Sequence, residues 1–344
     1  MRPQQTVAVT GASGFVGGAL VARLLPHVRV RALFRPGDAR AERLADRGCE
    51  IVRGDLDDTE ALRRLVRGAD TVHHCAATMG RRDAARSRAV NVLGTERLGR
   101  AALECGVRRF VYVSSISVFA ATRRSDPWIS EAIAPEHVER LNAYGRTKYE
   151  GELRVRALAT SGGLRYTIIR PTNVYGPGSG PWFHQWERML RRMPIAIGDF
   201  PIDVIWIDDL VEAMLQAAES EAAADEVFHV GHEMVKLNEF VRALGRVVGR
   251  RVLKLPAPLD RAVRAGVDRL YRAATGRQMS LSLVHPAYYP HSKASKAFGF
   301  APRVPLEDGV ARLTDWWSRS REARRPVEAW RQRVKSPVPA RGKP

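Results

Sequence analysis

The chain has 344 residues, 45% hydrophobic and 7% aromatic, which is enough for one large globular unit or two coupled domains with buried cores. Its formal net charge of +19 comes from basic residues spread over the whole sequence, which indicates an arginine-rich surface and argues against a nucleic-acid-binding protein. The three cysteines, Cys49, Cys75 and Cys105, follow no disulfide or zinc spacing, so we expect a cytoplasmic protein without a metal site.

No membrane-spanning segment is expected. Residues 1–25 contain an apolar stretch, but glycines interrupt it and no cleavage region follows, so the pattern favours a first strand and helix over a signal peptide. The longest other apolar run, residues 110–121, falls short of the roughly 20 residues that a membrane helix needs.

Short β-branched runs alternate with longer amphipathic runs from Thr6 to Arg170. The predicted strands are TVAVT, VRVRALF, CEIVRG, DTVHHC, RFVYVSS and YTIIRP, and the helices between them include residues 57–67 and 86–105. Such alternation is typical of βαβ units, and nearly continuous hydrophobic strands indicate a sheet covered on both faces. We therefore predict an α/β fold of the Rossmann type, with a doubly wound parallel sheet and a smaller, mostly helical C-terminal lobe.

The glycine-rich stretch TGASGFVG lies between the first predicted strand and the first predicted helix. Residues without a Cβ let the backbone approach a pyrophosphate, whose charge then lies at the positive end of the helix. A glycine-rich turn without any ligand is the alternative, but the strand and helix on either side favour dinucleotide binding. The residues expected to bind the cofactor here are Gly11, Ser13, Gly14, Phe15, Val16 and Gly17.

Arg35 follows the second predicted strand, where NAD-preferring proteins keep an acidic residue. A guanidinium favours the 2′-phosphate of NADP(H) because it offers charge-assisted, bidentate hydrogen bonds. We therefore expect NADP(H) rather than NAD(H), with Arg40 as a second contact. The alternative is that Arg35 is an ordinary surface arginine.

Tyr144 and Lys148 are four residues apart in a predicted helix, residues 142–159, and therefore share one face of it. The preceding strand ends in Ser114 and Ser115, at the carboxyl edge of the sheet where ligands of such folds bind. There the phenol can transfer a proton, the ammonium can lower the pKa of the phenol, and a serine can hold a substrate oxygen. A second YxxxK match, Tyr289 to Lys293, contains Pro290, so its side chains are not expected to converge.

Taken together, the motifs resemble the extended short-chain dehydrogenase/reductase superfamily over residues 5–318. The matching stretches are TGxxGxxG, GDLDD, HHCAA, NVLGT, VYVSSISVF, YxxxK, RPTNVYGPG and DVIWIDDL. The resemblance implies that Ser115 rather than Ser114 is catalytic together with Tyr144 and Lys148, and that Asn91 braces the active site. It also implies cofactor contacts for Tyr144, Lys148, Asp55, Leu56, Ala76, Ala77, Pro171, Thr172, Asn173 and Val174.

The alternation of strands and helices weakens after Arg170. We assign residues 1–175 to the dinucleotide-binding domain, with residues 203–233 returning to it. Residues 176–202 and 234–320 would form the substrate lobe, and residues 321–344 a basic, flexible tail.

The C-terminal region resembles the branch that contains 3β-hydroxysteroid dehydrogenases and 2-alkyl-3-oxoalkanoate reductases. Trp182, Phe183 and Trp186 would give an aromatic wall suited to a small hydrophobic ketone or alcohol, although they are equally consistent with core packing. The expected function is therefore an NADP(H)-dependent oxidoreductase, and the alternative enzyme is a nucleotide-sugar epimerase or dehydratase with tightly bound NAD(P). A third hypothesis, a cofactor-sensing binding protein, is disfavoured by the intact serine, tyrosine and lysine.

Two further expectations concern partners. We expect a homodimer. An amphipathic stretch at residues 259–274, together with the basic surface, leaves room for a weak peripheral contact with a membrane.

Overall fold

The computed structural model describes residues 5–79, 83–122, 126–275 and 287–320. Its strands are β1 (Thr6–Thr10), β2 (Arg29–Phe34), β3 (Glu50–Arg53), β4 (Thr71–His74), β5 (Arg109–Val113), β6 (Tyr166–Pro171), β7 (Asn173–Tyr175), β8 (Ile195–Ala196), β9 (Pro201–Trp206), β10 (Glu226–Val230), β11 (Glu233–Lys236) and β12 (Leu253–Lys254). Its α-helices are α1 (Phe15–Leu24), α2 (Arg40–Ala45), α3 (Thr59–Val66), α4 (Ala84–Arg88), α5 (Thr95–Glu104), α6 (Ala143–Gly162), α7 (Gly180–Arg192), α8 (Ile207–Glu219), α9 (Leu237–Val247), α10 (Ala257–Thr275), α11 (Ser292–Phe298) and α12 (Leu306–Arg319).

A seven-stranded parallel sheet forms the centre of the molecule, with the order β10-β6-β5-β4-β1-β2-β3. The chain runs outward from β1 through β2 and β3 and then returns to β4 on the other side of β1. This reversal leaves the carboxyl ends of β1 and β4 side by side, which is where ligands bind in open α/β sheets. The predicted Rossmann-type fold is confirmed.

Helices cover both faces of this sheet. On one face α1 and α8 bury side chains such as Leu20 and Leu210, and on the other face α3, α5 and α6 bury Leu62, Leu98 and Val155. Because apolar side chains are needed on both faces, strands such as β5 are buried at every position. All six strands predicted before Arg170 are present.

The helix predicted for residues 86–105 is interrupted. A π-helical turn, Ala89–Gly94, separates α4 from α5, and Asn91 lies inside this turn. One extra residue per turn is a local departure that hydrophobic periodicity does not reveal, and such turns are frequent at functional sites.

The remaining strands lie outside the main sheet. They form a three-stranded sheet, β11-β9-β7, and a parallel pair, β12-β8. Within the returning segment, β9 thus joins this smaller sheet, whereas β10 joins the main one. The predicted tail, residues 321–344, lies outside the described residues, and none of the described helices combines the length and apolar character that crossing a bilayer requires.

Candidate active site

The turn after β1 is built for close backbone approach. Gly11 has a φ of +73°, and a Cβ at this position would lie 2.6 Å from the backbone nitrogen of Ala76 at the end of β4. A Cβ on Gly17 would overlap the carbonyl oxygen of Gly11. No side chain caps the N-terminus of α1, whose N-cap is Gly14, so first-turn N–H groups are left without intrahelical partners. These features fit the pyrophosphate of a dinucleotide.

The other residues predicted to contact the cofactor follow neighbouring strands at the same edge. Asp55 is exposed after β3 and its carboxylate accepts a hydrogen bond from the Leu56 N–H at 2.8 Å, while Leu56 itself is buried. Ala77 is exposed after β4. The segment from Pro171 to Val174 connects β6 to β7, and the ring of Phe15 lies close to the loop that follows it. The predicted residues thus lie at the carboxyl ends of strands of the same sheet.

The two arginines considered for the 2′-phosphate differ in their surroundings. Arg35 is exposed directly after β2. Arg40 instead forms two 2.8 Å hydrogen bonds to the carboxylate of Asp38 and a third to the carbonyl oxygen of Ser13. This guanidinium lowers the pKa of Asp38 to about 2. Arg40 therefore supports the glycine-rich turn, whereas Arg35 is available to a ligand.

Ser115 and Tyr144 meet at the carboxyl end of β5. Ser115 caps a short 3-10 helix, Ile116–Phe119, and its hydroxyl donates a hydrogen bond to the hydroxyl of Ser117 at 3.0 Å. The Ser115 hydroxyl also acts on the pKa of the Tyr144 phenol. Tyr144 lies in the first turn of α6, whose N-cap, Asn142, accepts a hydrogen bond from the Gly145 N–H at 2.9 Å. The carboxamide of Asn142 thereby fixes where the helix begins, and with it the position of the phenol.

Lys148 is completely buried one turn further along α6. Its Nζ lies 4.0 Å above the ring of Tyr112, and loss of solvent lowers the pKa of Lys148 to about 7. Burial raises the pKa of Tyr144, against the effect of the Ser115 hydrogen bond. The pKa of Tyr144 thus lies above its ordinary value in the protein by itself, because desolvation of the phenolate outweighs the effect of Ser115. A lowering of this pKa by the Lys148 ammonium stays a prediction.

Asn91 ties two parts of the site together. Its carboxamide pairs with the backbone of Thr78 through bonds of 2.8 and 2.9 Å, and its Nδ2 also donates to the hydroxyl of Thr147 at 2.9 Å. These bonds join the loop after β4 to the turn of α6 that carries Lys148. The π-helical turn that holds Asn91 could not be seen in the sequence.

Three buried side chains beside Lys148 were missed or set aside in the sequence analysis. Glu152 accepts hydrogen bonds from Ser114 and from Arg170 of β6, and all three residues are buried. Ser114 thus donates its hydroxyl hydrogen bond to the Glu152 carboxylate, whereas the Ser115 hydroxyl donates to Ser117 and does not contact Glu152 in the described hydrogen bonds. The signal that could have identified Glu152 is its spacing of four residues from Lys148.

The predicted aromatic wall is not observed as such. Phe183 is buried in the core, with its ring centroid 5.2 Å from that of Trp317, and Trp186 packs against the same core. The side chain of Trp182 lies outside the described part. Packing between α7 and α12 therefore explains Phe183, which was the alternative interpretation.

A different apolar group begins just after Ser115 in the chain. Phe119 follows Ser115 in the same short helix and packs with Ile129 and Tyr289. Trp128 stacks on Tyr288 and is 56% exposed. In the second YxxxK match, Lys293 pairs with Glu226 rather than approaching Tyr289, as Pro290 led us to expect.

Comparison with known proteins relates these features to a family. Residues 7–231 match the family model described as NAD dependent epimerase/dehydratase family. The chain is 30% identical to a 3 beta-hydroxysteroid dehydrogenase/Delta 5-->4-isomerase of Mycobacterium tuberculosis, covering 90% of each chain. It is also 30% identical to a UDP-glucose 4-epimerase of Vibrio cholerae, covering 74% of this chain and 79% of the relative. Among solved structures, MoeE5 in complex with UDP-glucuronic acid and NAD is similar, with 27% identity, a TM-score of 0.72, and coverage of 92% of this chain and 99% of that one.

Proposed function

The chain belongs to the NAD dependent epimerase/dehydratase family, in the extended short-chain dehydrogenase/reductase superfamily, and from that premise we propose an NADP(H)-dependent oxidoreductase that interconverts a hydrophobic secondary alcohol and ketone. The observation that carries the proposal is that Ser115, Tyr144 and Lys148 come together at the carboxyl end of β5, at the same sheet edge as the glycine-rich turn. This is the set of groups that a carbonyl reduction needs.

In the reductive direction, the chain's own residues bind and protonate the substrate oxygen. Ser115 donates a hydrogen bond to the carbonyl oxygen, and Tyr144 delivers its proton to that oxygen as negative charge develops there. Lys148 stabilises the resulting phenolate, which solvent then reprotonates. The bound dinucleotide supplies the hydride. The oxidative direction uses the same groups in reverse.

The preference for NADP(H) rests on Arg35. Its exposed guanidinium follows β2 at the edge where the adenine ribose of a dinucleotide lies in this fold. A 2′-phosphate would gain charge-assisted hydrogen bonds there, whereas a bare ribose hydroxyl would gain less.

A hydrophobic substrate is supported by an apolar cluster that begins just after Ser115 in the chain. Phe119 packs with Ile129, and the adjacent Trp128, which is exposed, stacks on Tyr288. Apolar and aromatic side chains around a few convergent polar groups are the usual lining of small-molecule sites. Similarity to a 3 beta-hydroxysteroid dehydrogenase agrees with this substrate class.

The second candidate is a nucleotide-sugar epimerase or dehydratase that keeps its NAD(P) bound through the reaction. The observation in its favour is the similarity to a UDP-glucose 4-epimerase and to MoeE5, whose structure contains UDP-glucuronic acid and NAD. The same tyrosine and lysine would serve that chemistry.

One assay separates the two functions. The purified full-length protein is given NADPH or NADH with a panel of sterol, 3-oxoacyl and polyketide-like ketones, and separately a panel of UDP-sugars and dTDP-sugars. We expect NADPH oxidation with at least one hydrophobic ketone, and a loss of about 100-fold to 10,000-fold in Tyr144→Phe, as expected for a general acid. Cofactor that copurifies with the protein, together with turnover of sugars only, would establish the second candidate instead.

A further inference from the structure

Glu152 continues the line of catalytic side chains along α6. Tyr144, Lys148 and Glu152 follow one another at intervals of four residues, so they project from the same face of the helix in successive turns. Glu152 is 0% exposed, although a carboxylate is rarely buried unless it is paired. Glu152 is therefore not an ordinary surface carboxylate, and its burial one turn from Lys148 needs a physical explanation.

The Glu152 carboxylate is held by donors from two strands. Its Oε1 accepts from the Ser114 hydroxyl at 2.5 Å and from Nε of Arg170 at 2.9 Å, and its Oε2 accepts from Nη2 of Arg170 at 2.6 Å. The two-pronged contact with Arg170 fixes the orientation of the carboxylate as well as its charge. Glu152 is thus a fixed negative charge inside the fold.

Other titratable groups face Lys148, but burial keeps them neutral near pH 7. Desolvation lowers the pKa of His74 to about 3 and raises the pKa of Cys75 to about 12, and it raises the pKa of Tyr112 well above its usual value. Burial lowers the pKa of Lys148, and the Glu152 carboxylate one helical turn away raises it.

We propose that Glu152 is a positioning residue that keeps the Lys148 ammonium charged in its buried site, and through it keeps Tyr144 able to exchange a proton. Glu152 follows Lys148 by one helical turn and Tyr144 by two, so its charge lies closer to the ammonium than to the phenol. The inference rests on the proposed function only where turnover is measured. The charge state of Lys148 can be tested without any substrate.

The direct test is a proton titration of Lys148 in the full-length protein. The chain has seven lysines, so carbon-13 labelling of the lysine side chains gives few signals, and that of Lys148 is identified by its loss in Lys148→Met. We expect a midpoint of about 7 in the unsubstituted protein. In Glu152→Gln the midpoint should fall by about one pH unit or more, the usual effect of losing one nearby opposite charge.

Glu150 provides a matched control on the same helix. It is a partly exposed carboxylate two residues away, 3.6 Å from Arg88, and Glu150→Gln should leave the Lys148 midpoint unchanged. Glu152→Asp retains the negative charge and should recover part of the shift. Equal midpoints in Glu152→Gln and the unsubstituted protein would overturn the proposal.

A double variant covers the case in which Glu152→Gln does not fold because Arg170 is left buried without its partner. Glu152→Gln with Arg170→Gln replaces the charged pair by two neutral side chains. Its Lys148 midpoint should lie below that of Arg170→Gln alone, because both variants lack the guanidinium and only the double variant lacks the carboxylate. Equal midpoints in these two variants would also refute the role of Glu152.

Turnover gives an independent readout. With a reducible ketone, the pH dependence of kcat should shift in Glu152→Gln by the same amount as the Lys148 titration, while KM stays unchanged because Glu152 does not reach the substrate. A merely structural Glu152 would lower stability without shifting either curve. If the titration shifts but no variant reduces any ketone, the proposed function fails and the inference about Lys148 stands.

Discussion

The close approach of the first turn to β4 can be tested with one methyl group. In Gly11→Ala the new Cβ would meet the backbone of Cys75 and Ala76 at 2.7 and 2.6 Å, and the residue would have to keep a φ of +73°. The left-handed conformation costs about 1–2 kcal/mol for a residue with a Cβ. Forcing the two strand ends apart costs a further amount of about 1–3 kcal/mol.

Gly68 provides a control with the same backbone requirement and no neighbour. Its φ is +67°, and a Cβ there would meet nothing within 4 Å. We therefore expect Gly68→Ala to lower the free energy of unfolding by about 1–2 kcal/mol. Gly11→Ala should lower it by about 2–5 kcal/mol, since it combines the conformational and the packing cost.

The assay is urea denaturation of both full-length variants, combined with NADPH titration followed by fluorescence. Gly11→Ala should weaken NADPH binding at least about tenfold, equivalent to about 1.4 kcal/mol, whereas Gly68→Ala should bind normally. Equal destabilisation by the two substitutions would refute the packing argument. Undiminished NADPH affinity in a folded Gly11→Ala variant would refute the assignment of the turn to the cofactor.

Three further predictions concern the cofactor, pH and the surface. In calorimetric titrations, Arg35→Ser should raise the dissociation constant of NADPH by about tenfold or more, as expected when a hydrogen bond to a charged group is lost. The dissociation constant of NADH should stay unchanged. An equal loss of affinity for both cofactors would contradict a role of Arg35 in binding the 2′-phosphate. Burial raises the pKa of Asp203 from 3.8 to about 7, so the folded state retains a proton that the unfolded state releases, and stability falls as pH rises through this window. Asp203→Asn cannot ionise, so its Tm relative to the unsubstituted protein should be higher at pH 8 than at pH 5, and a constant difference would show that Asp203 does not titrate there. Leu259 and Leu270 of α10 are 50% and 71% exposed near Arg269. The protein should therefore float with anionic vesicles in a density gradient, and Leu270→Ser should reduce the fraction that floats. Recovery of all the protein away from the vesicles would exclude this contact.

The parts of the fold that could be predicted are those that depend on local pattern. Buried parallel strands must be apolar on both faces, so they stand out as β-branched runs, and all six predicted before Arg170 are observed. The turn at Gly11 was visible for a similar reason, because a close approach of two backbones excludes every Cβ. Spacing alone brought Tyr144 and Lys148 to one face of α6.

Features that depend on neighbours distant in sequence could not be predicted in this way. The sequence around Phe183 suggested a substrate wall, because an aromatic side chain near a Gly/Pro loop can line a pocket or pack in a core. The position of α12, which brings Trp317 against Phe183, shows that it packs in the core. Arg40 was predicted to contact a phosphate because the amino-acid sequence does not show which groups are its neighbours. In the structure its guanidinium already donates hydrogen bonds to Asp38 and to the Ser13 carbonyl oxygen. The pKa of Tyr144 likewise depends on how deeply α6 is packed, which the spacing of two residues does not report.

Two buried arginines illustrate how the position of a charge along a strand determines what it can do. Arg109 begins β5 at the amino edge of the sheet, where its guanidinium donates to the Ser220 carbonyl and pairs with Glu221, whose side chain is 71% exposed. Solvent near that carboxylate screens the pair, and the predicted catalytic side chains lie at the opposite edge of the sheet. Arg170 lies near the carboxyl end of β6, where its partner, Glu152, is buried and is also the carboxylate that acts on Lys148. In both strands the arginine interrupts an apolar run, which indicates that it has a partner. Ligands bind at the carboxyl edge of such a sheet, and only at that edge does the partner also act on the charge of a predicted catalytic side chain.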